Sequence, residues 1–221
     1  MGLPVLLIGK SGSGKSSSLR NCGKEFGLIN VLGKPLPFKA DAENRMGSIT
    51  TDNIGQIVDI LKRAQVHSFI IDDAGYLLTN AFMRGHSTTG AGNDIFKFYN
   101  RMADEFWNLV QFVVHGMPPD KIVYFIMHED KNDMGDIKPK TIGKVLDEKV
   151  CVEGMFTIVL RSECVAGEYI FNTKTNGFDV TKTPMGMFDT PTIPNDLKMV
   201  DDTIREYYNL TSTTQGEQTN A

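Results

Sequence analysis

Residues 9–16 read Gly-Lys-Ser-Gly-Ser-Gly-Lys-Ser, and this segment constrains the possible folds more than any other part of the chain. It matches the phosphate-binding loop pattern G-x-x-x-x-G-K-[ST] at every fixed position. Its glycines permit backbone turns that residues with a Cβ atom resist, so successive N–H groups can point at phosphate oxygens. The pattern predicts that Lys15 contacts the β- and γ-phosphates of a nucleotide and that the Ser16 hydroxyl binds Mg²⁺. The alternative is a chance loop rich in glycine and serine.

The residues on either side of this segment favour the phosphate-binding interpretation. An apolar run of strand length, residues 3–8, precedes it. A short helix from about Lys15 to Cys22 is expected to follow, and its positive N-terminus would face the phosphates. We therefore expect the whole loop to contact the nucleotide, through Gly9, Lys10, Ser11, Gly12, Ser13, Gly14, Lys15, Ser16 and Ser17.

The alternation of strand and helix patterns predicts the fold class. Strands are expected at about 3–8, 27–32, 68–71 and 121–127, and helices at about 54–64 and 94–114. Strands at about 155–161, 168–173 and 178–181 are expected to be adjacent and antiparallel, with Asn176-Gly177 as a hairpin turn, before a last helix that starts at 194–196. This order predicts an α/β fold with a mostly parallel sheet and an antiparallel extension at its C-terminal end. Ligands of such sheets bind beyond the carboxyl ends of the strands.

Length and composition bound the domain organisation and the setting of the protein. A chain of 221 residues with 41% hydrophobic residues is long enough for one domain with a substantial core, expected at residues 1–210. Residues 211–221 lack an apolar anchor and are expected to be a disordered tail. We find no run of ~20 apolar residues and no signal peptide before the first strand, so we expect a cytoplasmic protein without a membrane attachment. The net charge of −4 means that any DNA contact would depend on local loops or on an assembled ring.

Acidic residues near two strand ends are candidates for the metal site and the catalytic base. Asp72 directly follows an apolar strand, and its carboxylate is expected to hold Mg²⁺. Hydrolysis also needs a group that orients or deprotonates water. Three acids compete for that role, Asp41, Glu43 and Asp73, and the sequence pattern does not choose between them.

A family resemblance makes the choice more specific. The segment Phe38-Lys39-Ala40-Asp41-Ala42-Glu43 resembles the strand end that carries the catalytic glutamate in RecA-type recombinases. The order of motifs is also similar: phosphate loop, glutamate strand, metal aspartate, and a strand that ends in a polar sensor. The resemblance implies a RecA-like P-loop ATPase core that binds ATP and Mg²⁺. It implies that Glu43 is the base and that His128 senses the γ-phosphate.

A closer resemblance is to phage-encoded RecA-core ATPases of the Sak group, a class of single-strand annealing proteins. It covers roughly residues 3–208 and is carried by segments 71–80, 173–177, 183–188 and 194–197. It implies an ATPase that acts on single-stranded DNA in phage recombination or replication, in the host cytoplasm, with a phage single-strand-binding or replication protein as a possible partner. The chain departs from full RecA because it lacks an N-terminal polymerisation segment. We therefore expect a homo-oligomeric ring, or a filament with other contacts.

The same analogy suggests which residues face DNA and which act between subunits. Two polar segments, 80–93 and 131–149, would line the DNA path, with Arg84, His86, Lys131, Lys138, Lys140 and Lys144 as candidates. Either Lys174 or Lys182 is expected to act as a cation on the neighbouring subunit's nucleotide.

The alternative function is a nucleotide-switched assembly factor, such as a helicase loader or packaging accessory, that binds a protein partner. A small-molecule kinase is less favoured, because Arg84 and Arg161 are not clustered as the arginines of a phosphate lid would be.

Overall fold

The computed structural model describes residues 1–39, 43–143 and 145–210. Nine strands lie within these residues: β1 (Leu3–Gly9), β2 (Phe26–Asn30), β3 (Gly47–Thr50), β4 (Ser68–Asp72), β5 (Ile122–Lys131), β6 (Ile137–Pro139), β7 (Ile158–Val165), β8 (Glu168–Asn172) and β9 (Thr192–Pro194). The α-helices are α1 (Ile54–Arg63), α2 (Tyr76–Gly85), α3 (Asn93–Gly116) and α4 (Leu197–Tyr208). Short helical turns occupy Ser16–Asn21, Val145–Lys149 and Val152–Met155. The predicted tail, 211–221, lies outside the described residues.

The strands form one mixed sheet in the order β3-β2-β4-β5-β1-β7-β8-β9. The strands from β3 to β7 in this order are parallel, whereas β8 and β9 continue the sheet as antiparallel strands. β6 pairs antiparallel with the outer end of β5. The prediction of an α/β fold with a mostly parallel sheet and an antiparallel extension is confirmed.

Alternating apolar side chains bury both faces of the sheet. On β1, Leu6 and Ile8 pack with α1, α2 and α3 on one face, and Val5 and Leu7 pack with α4 and the 3-10 helix at Ser16–Asn21 on the other. Strands covered on both faces read as continuous apolar runs. The run at residues 3–8 therefore marks a central strand.

The connections place a crevice at one edge of the sheet. β1 leads into the 3-10 helix on one face, whereas β4 leads into α2 and α3 on the other face. Such a reversal opens a crevice outside the carboxyl ends of the strands, and ligands of open α/β sheets bind there. We call this side of the sheet the carboxyl edge and the opposite side the amino edge.

Several local predictions require correction. Half of the polar segment 80–93 is helical, because α2 runs to Gly85 and its Leu77 and Leu78 pack into the core. β5 does not end before His128 but continues to Lys131, since pairing with β6 extends it. The helix after the phosphate-loop pattern is a six-residue 3-10 helix, which offers less of an aligned N-terminus than an α-helix would.

The β-rich end also differs from the prediction. β7 is parallel to β1 and antiparallel to β8, as predicted for 155–161 and 168–173, but the third antiparallel strand is β9 and not 178–181. Residues 178–181 form no strand, and Asn176-Gly177 turns the chain toward a single antiparallel bridge between Lys182 and Val159. No described helix is both long and apolar enough to cross a bilayer.

A buried polar network ties α4 to the sheet. Asp201, which is 3% exposed, accepts hydrogen bonds from Ser68 and from the Tyr124 hydroxyl at 2.9 Å. Arg205 Nε donates to the second Asp201 oxygen at 2.7 Å. Because both charges and the hydroxyls are satisfied by each other, loss of one partner leaves the others desolvated and unpaired.

We expect Asp201→Ala to lower the free energy of unfolding by about 3–5 kcal/mol, the typical cost of breaking a buried pair from one side. Urea denaturation would measure it. The matched control is Asp202→Ala, because the next residue forms only an exposed pair with Lys198. That change should cost about 0.5 kcal/mol or less. Equal losses in the two variants would contradict the role of the network.

Candidate functional site

The Gly9–Ser16 loop joins β1 to the 3-10 helix at the carboxyl edge. Gly12 and Gly14 have φ angles of +78° and +91°, a region that favours glycine. A Cβ atom on Gly9 would lie 2.5 Å from Ser13 Oγ and 2.6 Å from the Ser162 carbonyl oxygen. Three glycines of the motif are therefore required by backbone conformation or by close packing, as the pattern predicts.

Side chains from distant parts of the chain brace this loop. Ser162 Oγ donates to the Ser13 carbonyl at 2.6 Å, and Asn195 Nδ2 donates to Ser162 Oγ at 3.2 Å. The ring of Tyr169, on β8, covers Gly14, where a Cβ atom would lie 2.7 Å from it. Sequence analysis did not identify these residues, because they come from β7, β8 and the approach to α4.

Lys15 is folded against the loop. Its Nζ donates to the carbonyl oxygens of Gly9 at 2.9 Å and Lys10 at 2.7 Å. Burial lowers the pKa of the Lys15 ammonium, and the nearby carboxylates of Asp73 and Asp72 oppose that shift. The loop thus holds a buried cation beside two acids.

Ser16 and Asp72 meet across the crevice. Ser16 Oγ lies 3.1 Å and 3.0 Å from the two carboxylate oxygens of Asp72, although 56 positions separate the residues in sequence. Burial raises the pKa of Asp72, as does the charge of Asp73, while the hydrogen bond from Ser16 opposes this. A hydroxyl and a carboxylate are the oxygen ligands that Mg²⁺ prefers, so these residues fit the predicted metal.

Asp73 adopts an unusual backbone conformation. Its φ is +62°, which costs a non-glycine residue about 1 kcal/mol or more. Its Oδ2 lies 2.6 Å from Lys34 Nζ, and its Oδ1 lies 3.6 Å from His128 Nε2. Burial acts to raise the pKa of Asp73, but the contacts with His128 and Lys34 outweigh it and lower the pKa. The carboxylate is thus ionised and faces the crevice.

A cleft of about 910 Å³ lies beside the phosphate-loop segment. It is lined by the loop and by Lys34, Asp73, Tyr76, His128 and Tyr169 among others. His128 stands opposite Gly9 in the β5–β1 register, and Tyr76 packs edge-on against its ring at 6.1 Å. The structure therefore brings together the loop, Asp72, Asp73 and His128.

Glu43 stands apart from this cluster. Glu43 itself lies in a bend and not in a strand, and β3 begins four residues later, at Gly47. Gly47 pairs with Gly27 near the start of β2, and the neighbouring Asn44 accepts a hydrogen bond from Lys24 N at 3.2 Å. The exposed Glu43 is thus at the amino edge, and it is not among the described residues that line the cleft. The competing acid Asp41 lies outside the described residues.

The predicted DNA-facing and subunit-bridging cations are dispersed. Arg84 pairs with Asp52 at 2.7 Å, and His86 stacks on Phe82 with ring centroids 4.8 Å apart. Lys131 and Lys138 lie on the β5–β6 extension, whereas Lys140 lines the cleft. Lys174 and Lys182 are exposed near the β-rich end and are not among the described cleft residues. Lys144 lies outside the described residues.

Comparisons with known proteins do not identify a family for this chain. No protein-family model matches the chain, and no curated protein sequence matches it.

Proposed function

We propose that this chain is a Mg²⁺-dependent ATPase with a RecA-like P-loop core. The observation that carries the proposal is the hydrogen bond between Ser16, in a complete phosphate-loop motif, and Asp72, at the end of a neighbouring parallel strand. A phosphate-binding loop and a metal carboxylate are the two parts that P-loop nucleotide hydrolysis requires in contact.

Each of these residues has a distinct role in the proposed hydrolysis. Backbone N–H groups of the loop and the Lys15 ammonium bind the phosphates. To do so, the ammonium leaves the carbonyl oxygens of Gly9 and Lys10 and contacts phosphate oxygens instead. Ser16 and Asp72 would hold Mg²⁺, which would supply positive charge beside the β- and γ-phosphates. Asp73 orients the attacking water and accepts its proton, and His128 contacts the γ-phosphate side of the cleft. This assignment prefers Asp73 over Glu43 as the base.

We further propose that the ATPase acts on single-stranded DNA in the cytoplasm of a phage-infected host, as the Sak resemblance implies. The aromatic stack of Tyr99, Phe82 and His86 supports this part. His86 is the exposed member of the stack, and its ring offers a face on which an unpaired base can stack. Phe82 also lines the cleft, so the stack is next to the nucleotide. A homo-oligomeric ring or filament completes the proposal.

The second candidate function is a nucleotide-switched assembly factor. Phe178 and Met185, in the β-rich end, are 68% and 95% exposed. Exposed apolar residues of this size favour a protein surface as partner, whether another protein or a second copy of the chain.

A salt series separates the two functions. We expect wild type with Mg²⁺ and an ATP analogue to bind a fluorescent single-stranded oligonucleotide. The log–log salt slope should shrink in Lys131→Ala/Lys138→Ala by ~0.7 for each DNA phosphate that the variant no longer neutralises. Lys140 is left intact because it lines the cleft. Lys198→Ala, on α4, is the control and should bind as wild type does. Absence of wild-type binding even at low salt would reject the DNA function and favour the assembly factor.

A further inference from the structure

One cation of the cleft has no assigned role in the proposed reaction. Lys34 Nζ lies 2.6 Å from Asp73 Oδ2, and the Lys34 side chain is 59% exposed. It lines the same cleft as Lys15 and His128. Its positive charge contributes to the lowered pKa of the Lys15 ammonium. A second cation thus stands beside the acid assigned to the water.

The turn that carries Lys34 is fixed by its own side-chain clamp. Asn30, at the end of β2, is 8% exposed. Its Nδ2 donates to the Lys34 carbonyl at 2.7 Å, and its Oδ1 accepts from Gly33 N at 2.8 Å. Gly33 has a φ of +67°, and a Cβ atom there would lie 3.0 Å from a Thr50 methyl. The backbone of Lys34 is therefore held at the carboxyl edge while the ammonium end can move.

The ATP hydrolysis proposed for this cleft requires such a cation. Water attacks the γ-phosphorus, and the bond from that phosphorus to the β,γ-bridging oxygen breaks with its electron pair going to ADP. The proton of the water passes to Asp73 and then to solvent. In the transition state negative charge is spread over the oxygens of the γ-phosphoryl group, and P-loop enzymes commonly place an arginine there. No arginine is among the described residues that line this cleft.

We propose that Lys34 supplies this charge from the same chain, as a catalytic residue that leaves Asp73 and contacts the γ-phosphate when ATP binds. The departure also frees a carboxylate oxygen of Asp73 for the water. Arg161 is not available for this role, since it pairs with Glu129 and Glu163 at 2.8 Å each. The inference rests on the ATPase proposal and adds a residue that neither the motif nor the resemblance assigns.

The test compares Lys34→Ala and Lys34→Arg with two lysine variants outside the described cleft lining, Lys97→Ala and Lys198→Ala. We expect Lys34→Ala to lower kcat by about 10²–10³-fold, the typical loss for a charge-stabilising donor. Its ATP affinity should stay within about threefold of wild type, and Lys34→Arg should recover part of kcat. Binding of ADP with aluminium fluoride should weaken in Lys34→Ala, whereas the control variants should keep most of kcat.

Mixing experiments decide whether the cation acts within one chain. Subunits with Lys34→Ala and subunits with Lys15→Ala should not restore activity together, because neither chain has both residues. Restored activity would overturn the proposal in favour of action between subunits. A wild-type kcat in folded Lys34→Ala, with wild type active, would also overturn it. If wild type binds no MgATP in calorimetry, the ATPase proposal itself fails.

Discussion

Removing the charge of Lys15 should weaken MgATP binding by roughly 10–150-fold. Hydrogen bonds to charged groups contribute about 1.5–3 kcal/mol, and each 1.4 kcal/mol is a factor of ten in affinity. Lys15 is 7% exposed and lies in the complete motif, so its ammonium would meet the phosphates in a partly desolvated setting. Isothermal titration calorimetry of Lys15→Ala with ATP, ADP and AMP would measure the loss. AMP affinity should not change, because AMP lacks the two phosphates that Lys15 contacts.

The hydrogen bonds that Lys15 forms determine which control variants are needed. Because Lys15 Nζ binds two loop carbonyls, alanine removes these hydrogen bonds as well as the charge. Lys15→Gln keeps an N–H donor, one bond shorter in reach, and removes the charge, so it should lose nearly as much affinity. Lys10→Ala, also on the loop but exposed, should lose little. If folded Lys15→Gln binds ATP as tightly as wild type does, the loop is not the phosphate site.

The parts of the site that are local in sequence could be predicted from it. The glycine positions, Lys15 and Ser16 sit within one turn of chain, and the motif prescribes their roles. Asp72 could be predicted because a short, fully buried strand ends in it. His128 was placed correctly near the loop even though its strand is longer than predicted.

The parts that depend on tertiary packing could not be predicted. Lys34 reaches the cleft because Asn30 clamps the turn after β2, and a lysine between glycine and proline reads only as a loop residue. Ser162 and Asn195 brace the loop from 149 and more positions away. Glu43 was assigned by its resemblance to a strand end, whereas the chain after β2 returns to the amino edge before β3 begins. Sequence periodicity cannot detect this return, since none of the described residues in 31–39 and 43–46 belongs to a helix or strand.

Asp73→Asn should cut ATP hydrolysis by ~10²-fold or more, the usual loss of a general base, with ATP affinity near that of wild type. Asparagine is the conservative choice, because it keeps the size of the side chain and tolerates the φ of +62°. Glu43→Gln is the matched variant, an acid-to-amide change at the position that the RecA-type resemblance assigns. The position of Glu43 at the amino edge leads us to expect near-wild-type turnover for it. Single-turnover hydrolysis separates this chemistry from product release.

The opposite result would have a definite structural meaning. If Glu43→Gln loses hydrolysis while Asp73→Asn stays active, Glu43 must reach a nucleotide other than the one bound by its own chain, because its own cleft is at the opposite edge of the sheet. The base would then come from a neighbouring subunit, and turnover per subunit would rise steeply with protein concentration. With Asp73 as the base, Lys15, Asp72, Asp73 and Lys34 all belong to one chain, and dilution should change turnover far less. Hydrolysis measured across a dilution series, alongside the two variants, therefore distinguishes a base within the chain from one shared between subunits.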